Sequence, residues 1–277
     1  MVSSIRLAAL LLLFGMASAA ADDLGQPADL YTTRVIVTGA DTRSRPEGFR
    51  MCLEDVLAKA SGDMKLPDDP RVRKLGEKAG DLIDAYSYYD RMTGRPIHDE
   101  QGTRDRPYYL TCAFNAAKVD AALAALGRKP WPGDRTPLTM VLAVQGLGHN
   151  DMLSSDGDFD PDMRAALMNT AMRYGLTVTL PSLNALAENA VTVESAAKSP
   201  AARLTALAER SGGALPLVGS LDWSDADHGW IAHWMLDDGR KRHAWGVKGV
   251  SYDEAFRSAV RGAALILSGN GEPEAGL

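Results

Sequence analysis

The side chains best equipped for chemistry in this 277-residue chain fall in one polar run, Arg91 to Arg106 (RMTGRPIHDEQGTRDR). His98, Asp99 and Glu100 are groups that can shuttle a proton or hold a divalent cation, and Arg104 and Arg106 can pair with an anion. Spacing weakens the metal reading: adjacent residues rarely converge on one ion, and the helical H-E-x-x-H spacing does not occur. A solvated loop laced with Arg–carboxylate pairs accounts for the same letters. If the run works at all, ligand binding through its arginines is favoured over catalysis.

A second constellation is aromatic. Four of the five tryptophans lie between Trp223 and Trp245, and Asp238-Gly239 reads as a two-residue hairpin turn. That register sets Trp234 opposite His243 and Ala232 opposite Trp245, so Trp230, Trp234, His243 and Trp245 share one face. The stripe is either a stacking platform for a sugar or peptide, or core beneath the helix that starts at Ser251; large aromatics favour the second. His233 falls on the opposite face from His243, which removes a shared zinc ion. Asp156, Asp158, Asp160 and Asp162 imitate a calcium loop, but Pro161 stands at the turn glycine and Leu167 at the closing glutamate. Gly146-Leu147-Gly148 lacks the third glycine of a dinucleotide motif. There is no G-x-S-x-G elbow, and neither cysteine has a histidine beside it. No metal or cofactor is expected.

The elements that position these residues are organised around Arg104 to Gly127. Tyr108, Leu110, Cys112 and Phe114 alternate as a strand behind Pro107, and Asn115 caps a helix ending at Gly127. Upstream, Tyr31 to Thr38 reads as a strand, and Ser44 with Glu47 as a capping box. The helix that follows carries Phe49, Cys52, Leu53, Val56, Leu57 and Ala60 on one stripe. A shorter helical segment from Asp69-Pro70 to about Gly80 and a strand from Leu82 to Tyr88 complete a first unit, residues 30–131. The Pro/Gly stretch around Pro130 to Gly133 marks a boundary.

A second unit, residues 136–270, begins with a strand over Pro137 to Gln145. Gly146 to Phe159 reads as loop, and helices follow from Asp160-Pro161, Pro181 and Ala201. Three strand-like runs and a capped helix from Ser251 end the unit, with a loose tail after Ser268. The fold class is α/β with α+β character at the C-terminal end. Two small sheet-plus-helix units are expected, the second closing in an antiparallel meander under a C-terminal helix.

Residues 1–21 have the form of a cleavable leader: Arg6, an apolar run from Leu7 to Met16, and Ala17-Ser18-Ala19. No cysteine stands near the cut for lipid attachment, and no later stretch is long and apolar enough to cross a bilayer. The expectation is a periplasmic protein. In that compartment Cys52, on the apolar helix face, and Cys112, on one face of the central strand, invite pairing; the bridge would close 60 residues and contribute about 4 kcal/mol. Two buried thiols are the alternative. A net charge of −6 with interspersed signs argues against nucleic acid and against an anionic membrane surface.

The set Arg45…Cys52-Leu53…Val56-Leu57…Lys59…Ser61-Gly62, Tyr86-Ser87-Tyr88, Phe114…Val119 and Leu126-Gly127…Trp131 is distinctive. Leu180-Pro181, Val218-Gly219, Gly229-Trp230…Trp234 and Ser251…Glu254-Ala255 extend it over most of the chain. Together these residues resemble the bacterial family of domain of unknown function 2066. The resemblance implies an exported envelope protein and supplies no activity. Function is therefore expected to be non-catalytic binding or scaffolding, with an unknown envelope protein or polymer as partner. The alternatives are an envelope hydrolase using the His98–Arg106 loop and ligand binding on the Trp230/Trp234/Trp245 face.

Overall fold

The computed structural model describes residues 29–94, 106–131 and 133–276. The leader and the run containing His98, Asp99, Glu100 and Arg104 lie outside the described residues.

The first sheet holds β1 (Thr32–Thr38), β2 (Ile83–Asp90) and β3 (Pro107–Phe114), ordered β1-β3-β2 and antiparallel throughout. With α1 (Arg45–Ser61), the short α2 (Pro70–Gly76) and α3 (Ala116–Ala125), it forms a split β-α-β arrangement. Alternation fixes which face is buried: Val35 and Val37 of β1 and Leu110, Cys112 and Phe114 of β3 meet Cys52, Leu53, Val56 and Leu57 of α1. One local expectation is corrected. Ser44 makes no side-chain cap; the Asp41 carboxylate accepts from the Arg43 and Ser44 N–H groups, and Glu47 is drawn to Arg50 instead. In β2 the register shifts at Asp84, so Tyr86 and Tyr88 share the face of Cys112 and Leu110, while Ser87 and Tyr89 face away.

The second sheet is mixed, ordered β5-β4-β7-β8-β9, and comprises β4 (Leu138–Gly146), β5 (His149–Leu153), β6 (Val178–Thr179), β7 (Leu215–Ser224), β8 (Gly229–Asp237) and β9 (Arg242–Val250). β4 runs parallel to β7 and to the short β6, while the β7-β8-β9 meander is antiparallel. α4 (Pro161–Arg173) and α7 (Tyr252–Leu267) cover one face; α5 (Leu183–Glu188) and α6 (Ala201–Arg210) cover Val141 and Val218 on the other. The α/β class with its C-terminal meander under a final helix is the observed architecture.

Three differences from the sequence reading have physical causes. β5 arises where a loop was expected, because the Gly146-Leu147-Gly148 turn folds the polar segment His149–Leu153 back against β4. The β8–β9 connection is a four-residue loop, since the Asp238 carboxylate accepts from the N–H groups of Arg240 and Lys241, both at 2.8 Å. This moves Trp234 opposite Trp245 and Leu236 opposite His243. The tail after α7 is tied down: Asn270 Nδ2 donates to the Ser61 carbonyl at 2.9 Å, and Ala275 bridges to Gly246.

The two sheets have separate cores, and α1 serves both. Its Cys52 stripe faces the first sheet, while Ala58, with Met64 just beyond the helix, enters the core between the second sheet and α7.

Candidate functional site

Of the loop residues singled out above, Arg106 is described, and its position is structural. Its guanidinium is largely buried, donates to Asp90 Oδ2 at 2.8 Å and to the Met92 carbonyl at 3.0 Å, and so closes the base of the β2–β3 hairpin. An arginine held this way orients the hairpin and is not presented to a ligand.

The tryptophan stripe does not form a platform. Trp230, Trp234 and Trp245 are at most 5% exposed and pack with Phe256, Val260 and Ala263 of α7. Gly262 gives α7 the room to lie on the Trp245 indole, whose Nε1 donates to the Ser258 carbonyl at 3.1 Å. The rings sit in the core because burying large aromatic area is the strongest apolar contribution available there. His243 is also buried on this side; its Nδ1 lies 2.8 Å from Glu272 Oε2 in the tail. Among the described residues no three His, Cys, Asp or Glu side chains gather into a set able to hold a metal.

Cys52 and Cys112 are bonded, joining α1 to the middle strand of the first sheet. Both are fully buried.

The sequence reading missed the other side of that sheet. Beneath α1 it is core, but its outer face carries a cross-strand row, Ile36–Tyr109–Tyr89, next to a second row, Arg34–Thr111–Ser87. Ile36 is 49% exposed and Tyr89 62%. The Tyr89 and Tyr109 rings stack with centroids 6.5 Å apart and planes 22° from parallel. The Arg34 guanidinium lies 5.5 Å from the Tyr109 ring centre and that of Arg91 lies 4.9 Å from it. Arg34 Nε also donates to Thr111 Oγ1 at 3.4 Å. Among the described residues neither arginine has a carboxylate partner. Of the acidic side chains at this sheet, Asp90 lies next to Arg91 but in the register of the other face and is engaged by Arg106, while Asp29 and Asp84 sit at the opposite end, engaged by Thr32 and Asn115. This is an apolar and aromatic strip with two arginines that have no carboxylate partner among the described residues. The alternation of Arg34, Ile36 and Thr38 with buried neighbours marks which residues share this face, though not that it stays uncovered.

A family model described as a domain of unknown function (DUF8605) matches residues 25–132, the part of the chain that holds this sheet. The match overturns the resemblance to domain of unknown function 2066, whose set of short fold signatures did not separate one uncharacterised family from another. No curated protein matches the chain, and no solved structure matches it.

Proposed function

We propose that this is an exported protein of the cell envelope that acts by binding a partner, and that the outer face of the first sheet is the surface it uses. The leader-like residues 1–21 support export to the periplasm without lipidation. The Cys52–Cys112 bridge supports it too, because disulfides persist in oxidising compartments. The observation that carries the binding reading is the exposed Ile36–Tyr109–Tyr89 row between Arg34 and Arg91. Tyrosine and arginine on a rigid sheet are what binding hot spots are made of, and leaving such a row in water is unfavourable for a chain that gains nothing from it.

The test places a photo-crosslinking amino acid at Tyr89 and, as a control, at Leu183, another exposed large apolar residue, on α5. Irradiation in the native envelope should give a discrete adduct from position 89 and none from 183. Identical patterns from the two positions would remove the face as the working surface. Finding the intact leader on a cytosolic product would remove export.

A further inference from the structure

From the charge and composition of that face, and resting on its reading as the binding surface, we infer that its partner is a protein presenting carboxylates around an apolar side chain. The chain as a whole is acidic, with a net charge of −6, yet the rows built on Ile36 and Arg34 contain no carboxylate. Arg34 and Arg91 converge on a single ring, Tyr109. Both arginines are exposed, and each is held against the ring with no carboxylate partner among the described residues. Two like charges gathered at one ring repel, and a carboxylate arriving between them relieves that repulsion while accepting from both forks.

The apolar part of the face defines the rest of the partner. Ile36 and Tyr89 flank Tyr109 on either side and offer a contact strip of one row of a three-stranded sheet. An acidic polysaccharide would satisfy the arginines but would leave Ile36 uncovered by anything apolar. A polypeptide with acidic residues beside a leucine or an aromatic covers all five side chains. Arginine, tyrosine and a central apolar residue are also the composition enriched where proteins meet proteins.

The experiment selects a random-peptide display library on the purified, disulfide-bonded protein and titrates the enriched peptides, made synthetically, by fluorescence anisotropy. Enriched peptides should pair Asp or Glu with an apolar residue and weaken with added salt. They should lose about tenfold or more in affinity on Arg34→Glu/Arg91→Glu. Lysine versions of the same peptides should bind the reversed protein better than the parent. If the double reversal perturbs the fold, Tyr89→Ser, at a side chain mostly in solvent, reads the same face. Peptides that depend on Tyr89 but carry no acids would overturn the acidic partner and leave the binding surface standing. No Tyr89-dependent peptide at all would overturn both. Polygalacturonate binding that is lost on the double reversal, with no peptide enriched, would replace the protein partner by a polymer.

Discussion

The carbonyl oxygen of Lys59 accepts a hydrogen bond from Arg135 Nη2 at 2.6 Å, across the junction between the two sheets. Helix α1 ends there, and its terminal carbonyls lack partners inside the helix. Segments that follow the first sheet supply them. Trp131 N donates to Ala60, Asn270 to Ser61, Ser268 to Gly62, and Arg261 to the Met64 carbonyl just past the helix. Arg135 also donates to the Tyr174 and Gly175 carbonyls and stacks 3.9 Å from the Trp131 ring centre. Arg135→Leu leaves three carbonyls buried without this donor. The expected cost is about 3 kcal/mol, read as a lower urea midpoint at unchanged slope. Arg135→Lys should recover only part of it, since one ammonium cannot reproduce the fork.

Lys59 itself gives the junction a pH dependence. Its ammonium is buried and donates to the Asp29 and Thr32 carbonyls at 2.8 and 2.6 Å. Burial pushes its pKa down from 10.5 to about 8, with Asp29 and Asp55 opposing the shift and Arg135 adding to it. Below pH 8 the ammonium is charged in both states, and the folded state bears the whole desolvation cost. Between pH 8 and 10.5 the folded chain releases a proton that the unfolded chain keeps, so stability rises with pH by an amount on the order of 3 kcal/mol. Tyr31 acts oppositely at higher pH: burial and its hydrogen bond to Asp120 raise the phenol from 10.0 to about 12, so its contribution is lost as pH climbs above 10. Denaturant titrations from pH 7 to 11 should therefore show a rise beginning near pH 8, absent in Lys59→Met.

The strand–helix unit from Pro107 was legible because every local signal agreed: alternation, the Asn115 cap and the glycine after the helix. Asn115 Oδ1 does accept from Lys118 N, at 3.1 Å. β5 was not legible, because HNDML has no apolar alternation and is a strand only by virtue of β4 beside it. The tryptophan register slipped by two residues since the Asp238 side chain, rather than a tight turn, sets the loop. The outer face of the first sheet was hidden for a different reason. Periodicity says which residues share a face, whereas whether a helix comes to cover it is decided by the rest of the fold.

The disulfide should carry a large share of the stability of the first sheet. It closes 60 residues between α1 and β3, and loop-closure entropy puts its contribution at about 4 kcal/mol. Cys52→Ala/Cys112→Ala is expected to lower the unfolding free energy by that order. Because both sulfurs are fully buried, a thiol reductant reaches them only through opening of the sheet against α1. The rate of reduction should therefore rise with urea well before global unfolding. Fast, urea-independent reduction would contradict the burial.

Gly62 and Gly127 end α1 and α3 with the same backbone, φ of +74° and +75°, but in different surroundings. A Cβ on Gly62 would lie 2.4 Å from Ser268 Cβ and 2.7 Å from Trp131 Cε3, whereas one on Gly127 meets nothing within 4 Å. Gly127→Ala should cost only the left-handed strain, about 1 kcal/mol. Gly62→Ala adds overpacking at the junction and should cost about 3 kcal/mol. Thermal unfolding of the two single variants measures the difference; equal costs would mean that the junction yields freely.

The C-terminal tail is expected to protect an edge. β9 ends the second sheet, and the tail runs beside it, with Ala275 bridged to Gly246 and Glu272 bonded to Lys241 Nζ and His243 Nδ1, both at 2.8 Å. Lys65 Nζ adds a bond to the Glu272 carbonyl at 3.2 Å. Ending the chain after Gly269 removes all of these together with the Asn270–Ser61 bond. The loss is about 2 kcal/mol by hydrogen-bond accounting. It also uncovers backbone N–H and C=O groups on β9 that can pair with another chain. Light scattering over a concentration series should therefore show association in the truncated protein and none in the full chain. Glu272→Gln, which keeps the backbone bridge, should lose part of the stability and stay unassociated.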